Sequence, residues 1–146
     1  MKLFAVTGNP ILFSKSPNLF NPFFEKNNID AKYLRLSANT AEEVICLFKE
    51  LGIDGMSITA PFKTEILPLL DEIDEISKQI GAVNTVIKKD DKLFGFNTDY
   101  YGITNTLNSV ENKKVVVLGA GGAAKAVIYS LKKNGAAIVQ NAHLFL

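Results

Sequence analysis

Lys114-Val115-Val116-Val117-Leu118-Gly119-Ala120-Gly121-Gly122-Ala123-Ala124 is the stretch that decides the fold class. Its apolar run reads as a buried strand, and the polar and apolar residues from Ala124 to Asn134-Gly135 read as a helix. Between them, Gly119, Gly121 and Ala124 fit the spacing G-x-G-x-x-A. Glycines there let the backbone turn tightly and approach a pyrophosphate, while the helix N-terminus offers unpaired N–H groups and the positive end of a dipole. Strand, glycine turn and helix in that order predict dinucleotide binding; the bland alternative is a tight structural turn. No acidic residue follows Glu111, so the carboxylate that holds an NAD ribose is missing, and Arg35 is the only arginine that a 2′-phosphate could use.

Working back toward the N-terminus, strands and helices alternate. Leu3 to Thr7 is a compact apolar strand closed by Gly8-Asn9-Pro10. A helix opening near Pro17 is expected to cover Leu19, Phe20, Phe23 and Phe24 on one face, with Pro22, one turn further in, leaving its start open. A strand at Lys32 to Leu36 precedes Thr40, an N-cap with Glu43 at capping-box spacing, and that helix ends near Gly52. Asp54 to Thr59 reads as the third strand. Pro61 stops it before one or two short helices between Lys63 and Ile80. Ala82 to Ile87 and Lys92 to Phe96 flank the polar turn Lys88-Lys89-Asp90-Asp91, the pattern of a hairpin. Thr98 to Leu107 reads as a connecting helix, and a composition shift near Ser109 to Lys113 predicts the boundary between a domain of residues 1–109 and a unit of residues 110–146.

This alternation predicts an α/β fold in which a mostly parallel sheet is followed by the start of a Rossmann-like dinucleotide-binding domain. Such sheets place ligands beyond the C-terminal ends of strands, where Ser14, Thr59 and Lys63 fall. Taken singly, Lys63 reads as an exposed lysine, Asp99 as a helix cap, and Ser14 and Ser16 as loop residues.

The 146 residues are 47% hydrophobic, enough to bury a core. A net charge of +1 gives no electrostatic reason to expect nucleic acid or a membrane surface as partner. The single cysteine, Cys46, lies among Val44, Ile45, Leu47, Phe48 and Leu51 and is expected to be a buried structural thiol. With His143 it makes up all the soft or imidazole ligands, so no metal site is expected. The N-terminal apolar run is too short for a signal peptide or a span, and a cytoplasmic location is the default expectation.

Gly8-Asn9-Pro10, Ser14-Lys15-Ser16-Pro17, Thr59-Ala60-Pro61-Phe62-Lys63, Gly81-Ala82-Val83-Asn84-Thr85, Asn97-Thr98-Asp99 and Gly119-Ala120-Gly121-Gly122-Ala123, in that order, closely resemble the shikimate dehydrogenase family. The resemblance implies a substrate domain followed by a nucleotide domain, with reversible, NADP-dependent oxidation of shikimate to 3-dehydroshikimate in the cleft between them, a step of aromatic amino-acid biosynthesis. Carried over motif by motif, Ser14 and Ser16 would bind the substrate carboxylate, and Thr59, Asn84 and Asp99 its hydroxyls. Lys63 and Asp99 would form the catalytic pair, with Lys63 as acid and base and also in contact with substrate, and Gly119, Ala120, Gly121, Gly122 and Ala123 would hold NADP. Family members form homodimers in some cases.

Two departures from the family pattern stand out. Ser57 replaces the asparagine usual two residues before the threonine. Where an Asn-Arg-Thr segment would take the NADP phosphate, the chain reads Gln140-Asn141-Ala142-His143. The resemblance runs from residue 1 to about Ile138, about half of a typical member, which reads as a truncated chain with a half-built nucleotide site and leaves activity of the chain by itself open. The alternatives are a non-catalytic shikimate- or quinate-binding module, which needs neither Lys63 nor the glycine turn, and another two-domain dehydrogenase of the methylene-tetrahydrofolate type, which the paired serines and Asn97-Thr98-Asp99 argue against.

Overall fold

The computed structural model describes residues 1–142, with side chains described as far as residue 137. The departure at Gln140 to His143, where the family's phosphate-binding segment would stand, therefore lies outside the described side chains.

The chain alternates as expected. Strand β1 (Lys2–Gly8) is followed by helix α1 (Ser16–Lys26), β2 (Ala31–Ser37), α2 (Ala41–Glu50) and β3 (Gly55–Ile58). Then come the short α3 (Phe62–Glu65), a 3-10 turn at Leu67–Leu69, β4 (Glu72–Ile73), α4 (Glu75–Ile80) and the hairpin β5 (Thr85–Lys89) and β6 (Lys92–Phe96). Helix α5 (Asp99–Thr106) leads to β7 (Lys114–Leu118), α6 (Gly122–Lys133) and β8 (Ile138–Ala142).

Six strands form one sheet in the order β2-β1-β3-β5-β6-β4, and β7 and β8 pair in a second. Pairing is parallel for β1–β2, β1–β3 and β4–β6 and antiparallel for β3–β5 and β5–β6, which gives the mostly parallel sheet that the alternation predicts. The chain moves from β1 to β2 on one side and later to β3 on the other, so the order reverses at β1. A crevice opens at the C-terminal strand ends of such a reversal. Because β5 runs against β3, Thr85 at its start lies opposite Ser57, and Phe96 at the end of β6 lies opposite Thr85. Residues just before β5 and just after β6 are thus delivered to the same edge.

The main core lies between the sheet and α2, with Val44, Phe48, Ile53, Ile58, Phe62 and Val86 each at most 2% exposed. Fully burying such a side chain stabilises by about 1.5–3 kcal/mol. Thr40 caps α2 as its spacing predicts, its hydroxyl accepting from Glu43 N at 3.2 Å; Glu43 reaches back to Asn39 N at 2.7 Å. The hairpin turns through Asp90 and Asp91, both left-handed at φ 49° and 59°, a geometry that fits the twist of two-residue hairpins.

Three expectations are corrected. Cys46 is exposed: α2 buries Ala41, Val44 and Phe48, and a residue two positions after Val44 points to the opposite side of a helix. The Glu50 carboxylate beside it raises the thiol's pKa. Helix α1 starts at Ser16, beside Pro17, and continues through Pro22, and it buries Pro17 and Phe24 but leaves Leu19 and Phe23 exposed, so the four-residue apolar face is only partly covered. The Lys63–Ile80 segment also contains β4, which is two residues long and too short to show a period.

Candidate active site

Six side chains singled out in the sequence meet at the crevice. Ser14, Ser16, Thr59, Lys63, Asn84 and Asp99 line one polar cavity of about 390 Å³, with Ser57, Thr85 and Thr98 between them. Each arrives for a local reason. Ser14 follows the loop that closes β1, where Gly8 packs so tightly that a Cβ would stand 2.4 Å from Thr59 Cγ2 and 2.8 Å from the Ala60 carbonyl. That contact and the bond from Asn9 N to Ala60 O at 3.0 Å tie the loops after β1 and β3 together. Arg35 on β2 donates from Nε to the Ser14 carbonyl at 2.7 Å, fixing the serine loop against the sheet. Ser14 and Ser16 share a hydroxyl contact of 3.3 Å.

Lys63, on α3, reaches Asp99 at the N-terminus of α5, with Nζ to Oδ2 at 2.5 Å. The lysine side chain is 15% exposed and the aspartate 30%, so the pair is largely shielded from water without being sealed. Asn84 donates from Nδ2 to the other Asp99 oxygen at 2.7 Å and accepts at Oδ1 from Thr98 N at 2.8 Å. One carboxylate is therefore held from both sides, by an ammonium and by an amide.

Asn97, 2% exposed, supports this arrangement from below. Its Nδ2 donates to the Ala82 carbonyl at 2.9 Å and its Oδ1 accepts from Tyr100 N at 3.3 Å, locking the segment before β5 to the start of α5. Tyr33 on β2 reaches the cavity wall through Ser57, with the two hydroxyl oxygens 2.7 Å apart. Burial pushes the Tyr33 phenol above its ordinary pKa, and the hydrogen bond to Ser57 opposes that shift. Asn97 was singled out in the sequence only as part of its motif, and Tyr33 not at all. The signal for Tyr33 was the alternation of β2, in which Ala31 and Tyr33 face inward while Lys32 and Leu34 face out.

A second cleft of about 320 Å³ adjoins the first, and Lys63, Thr59, Gly121, Gly122 and Ala123 are among the residues that wall it. Gly119 and Ala120 do not line it; Gly119 makes the turn out of β7 at φ +124°, a conformation that favours glycine. A Cβ on Gly121 would meet nothing within 4 Å, so a ligand has room above the α6 N-terminus. Gly122 differs: a Cβ there would stand 2.7 Å from Lys63 Cβ and 3.3 Å from Ala82 Cβ. Among the described residues no cluster of potential metal ligands is found.

A mixed sheet whose crevice carries a lysine–aspartate pair, beside a strand, glycine turn and helix, defines an α/β protein with two adjoining clefts that share Thr59 and Lys63. The sequence profile described as the shikimate dehydrogenase substrate binding domain matches residues 6–86, more than half of the chain, and the protein belongs to that family. A shikimate dehydrogenase (NADP(+)) of Bacillus cereus is 45% identical over 141 residues, covering 92% of this chain and 51% of the relative. Shikimate dehydrogenase 1 from Peptoclostridium difficile superposes with a TM-score of 0.88 at 33% identity, over 97% of this chain and 54% of that one. The Thermus thermophilus enzyme solved in complex with shikimate gives a TM-score of 0.84 at 35% identity, over 97% and 56%. The chain spans about half the length of the relatives it matches.

Proposed function

We infer that this chain recognises shikimate in the cavity at the strand ends and belongs to an oxidoreductase that interconverts shikimate and 3-dehydroshikimate with NADP. The observation that carries this reading is the convergence of Ser14, Ser16, Thr59, Lys63, Asn84 and Asp99 on one polar cavity. Hydroxyl donors suit a carboxylate at one part of it, and an ammonium, a carboxylate and an amide suit vicinal hydroxyls at another. The site falls in the substrate unit of residues 1–109, and residues 110–146 contribute the start of the nucleotide unit.

Within this reading Lys63 holds and moves the hydroxyl proton. Asp99 and Asn84 fix the direction of its ammonium, so that proton transfer is set by geometry before substrate arrives. In the reducing direction the Lys63 ammonium donates to the carbonyl oxygen as it becomes a hydroxyl. The hydride chemistry would be supplied by NADP when it is bound. Gly121, Gly122 and Ala123 would hold its pyrophosphate at the α6 N-terminus, where the space above Gly121 and the free N–H groups fit a diphosphate. A non-catalytic binding module is the weaker alternative, because it has no use for a lysine held by a carboxylate.

Titration of the purified chain with shikimate by ligand-observed NMR tests the reading, with far-UV circular dichroism on the same sample. Saturable binding is expected, and Ser14→Ala weakens it about tenfold, as loss of a hydrogen bond to a charged group does. A folded chain that ignores shikimate overturns the reading.

A further inference from the structure

Tyr33 is fixed at three points. Its ring stacks on Phe20 with centroids 4.6 Å apart and planes 10° from parallel. Its backbone N–H and C=O, on the open edge of β2, are both taken by the Asn21 amide, at 2.8 and 3.0 Å. Its hydroxyl lies 2.7 Å from Ser57 Oγ. The residue is 6% exposed, so this geometry is set by packing and does not depend on a ligand.

A phenol and a serine hydroxyl that share one hydrogen bond have two possible directions. Burial disfavours the phenolate, so Tyr33 keeps its proton at neutral pH, and the partner recorded for it is Ser57 Oγ. A buried O–H that makes no bond forfeits about 1–3 kcal/mol, which drives the phenol to donate. Ser57 Oγ then accepts, and its own hydrogen is left for an acceptor in the cavity it lines with Ser14 and Ser16.

Resting on the shikimate reading above, we propose that Tyr33 is a positioning residue of the substrate site: its hydroxyl holds Ser57 as an acceptor, so that Ser57 aims its own O–H at an oxygen of the bound hydroxy acid. Tyr33 does not touch the substrate. Its effect passes through Ser57.

A double-mutant cycle on shikimate binding to the full chain tests this. Tyr33→Phe keeps the ring and its stacking and raises the Kd about fivefold, the usual effect of one neutral hydrogen bond. Ser57→Ala raises it to a similar extent, and the double variant binds no worse than the weaker single one, because both remove the same donor. Circular dichroism and thermal melting confirm that each variant is folded. A purely structural role for Tyr33 lowers the melting temperature and leaves the Kd of the folded protein unchanged, which overturns the proposal. Additive losses in the double variant overturn it as well. Should Tyr33→Phe not fold, Ser57→Ala decides from the other side, since unchanged binding there means that Ser57 donates nothing. Failure of the unaltered chain to bind shikimate overturns the functional reading and this inference together, whereas binding indifferent to Tyr33→Phe overturns the inference alone.

Discussion

Lys63 draws its restraint from several elements at once: Asp99 Oδ2 holds the ammonium at 2.5 Å, its backbone carbonyl accepts from Val83 N at 2.7 Å, and its stem lies against Gly122. On the proposed function, Lys63→Ala removes the group that moves the proton but few of the groups that recognise the ligand. Turnover of shikimate with NADP by the dehydrogenase falls about 10²–10⁴-fold, the range for loss of a positioned acid–base. Shikimate binding by NMR changes far less, and a turnover equal to that of the unaltered protein rejects the assignment. None of this was available from Lys63 itself. A lysine after Pro61-Phe62 looks like any exposed lysine, and a partner 36 residues away leaves no periodic trace. The pair was legible only through the ordered motifs. The alternation of β2 showed which way Tyr33 faces but not its partner Ser57, because that contact crosses the intervening strand.

Elements bring these residues together, and Asn97 joins two of them. With Asn97→Ala, the Ala82 carbonyl and the Tyr100 N–H both lose a buried partner, and stability falls by about 2 kcal/mol in urea-monitored unfolding. On the proposed function, shikimate affinity falls with it, because Asn84 and Asp99 sit on the two segments that Asn97 joins. At this scale the sequence was informative wherever local chemistry dominates. Thr40 with Glu43, the Asp90-Asp91 turn and the apolar run of β1 each declare themselves within a few residues. It misled where a face had to be assigned without knowing what lies opposite. Cys46 has apolar neighbours in sequence, yet the buried stripe of α2 passes through Val44 and Phe48 and turns the thiol outward. Helix α1 offers an apolar face wider than the sheet beneath it covers.

Across the whole molecule, the antiparallel turn-back of β5 against β3 places residues from distant parts of the chain on one sheet edge. The core beneath that edge is shared, so Phe48→Ala, at a site 1% exposed, is expected to lower stability by about 3–5 kcal/mol. Chemical unfolding followed by circular dichroism measures this, and a loss below about 1 kcal/mol contradicts the packing described. The alternation of strands and helices made the fold class legible. The order β2-β1-β3-β5-β6-β4 was not, because pairing between distant strands depends on contacts that no local pattern encodes. The contact between Gly122 and the stem of Lys63 has a consequence for protein engineering. A glycine-turn unit grafted from a related protein brings its own residue to that position, and anything larger than hydrogen pushes on Lys63, which lines the neighbouring cavity. The halves of such a chimera are therefore not interchangeable cassettes, and on the proposed function exchanging one for a change of cofactor also retunes the chemistry of the other.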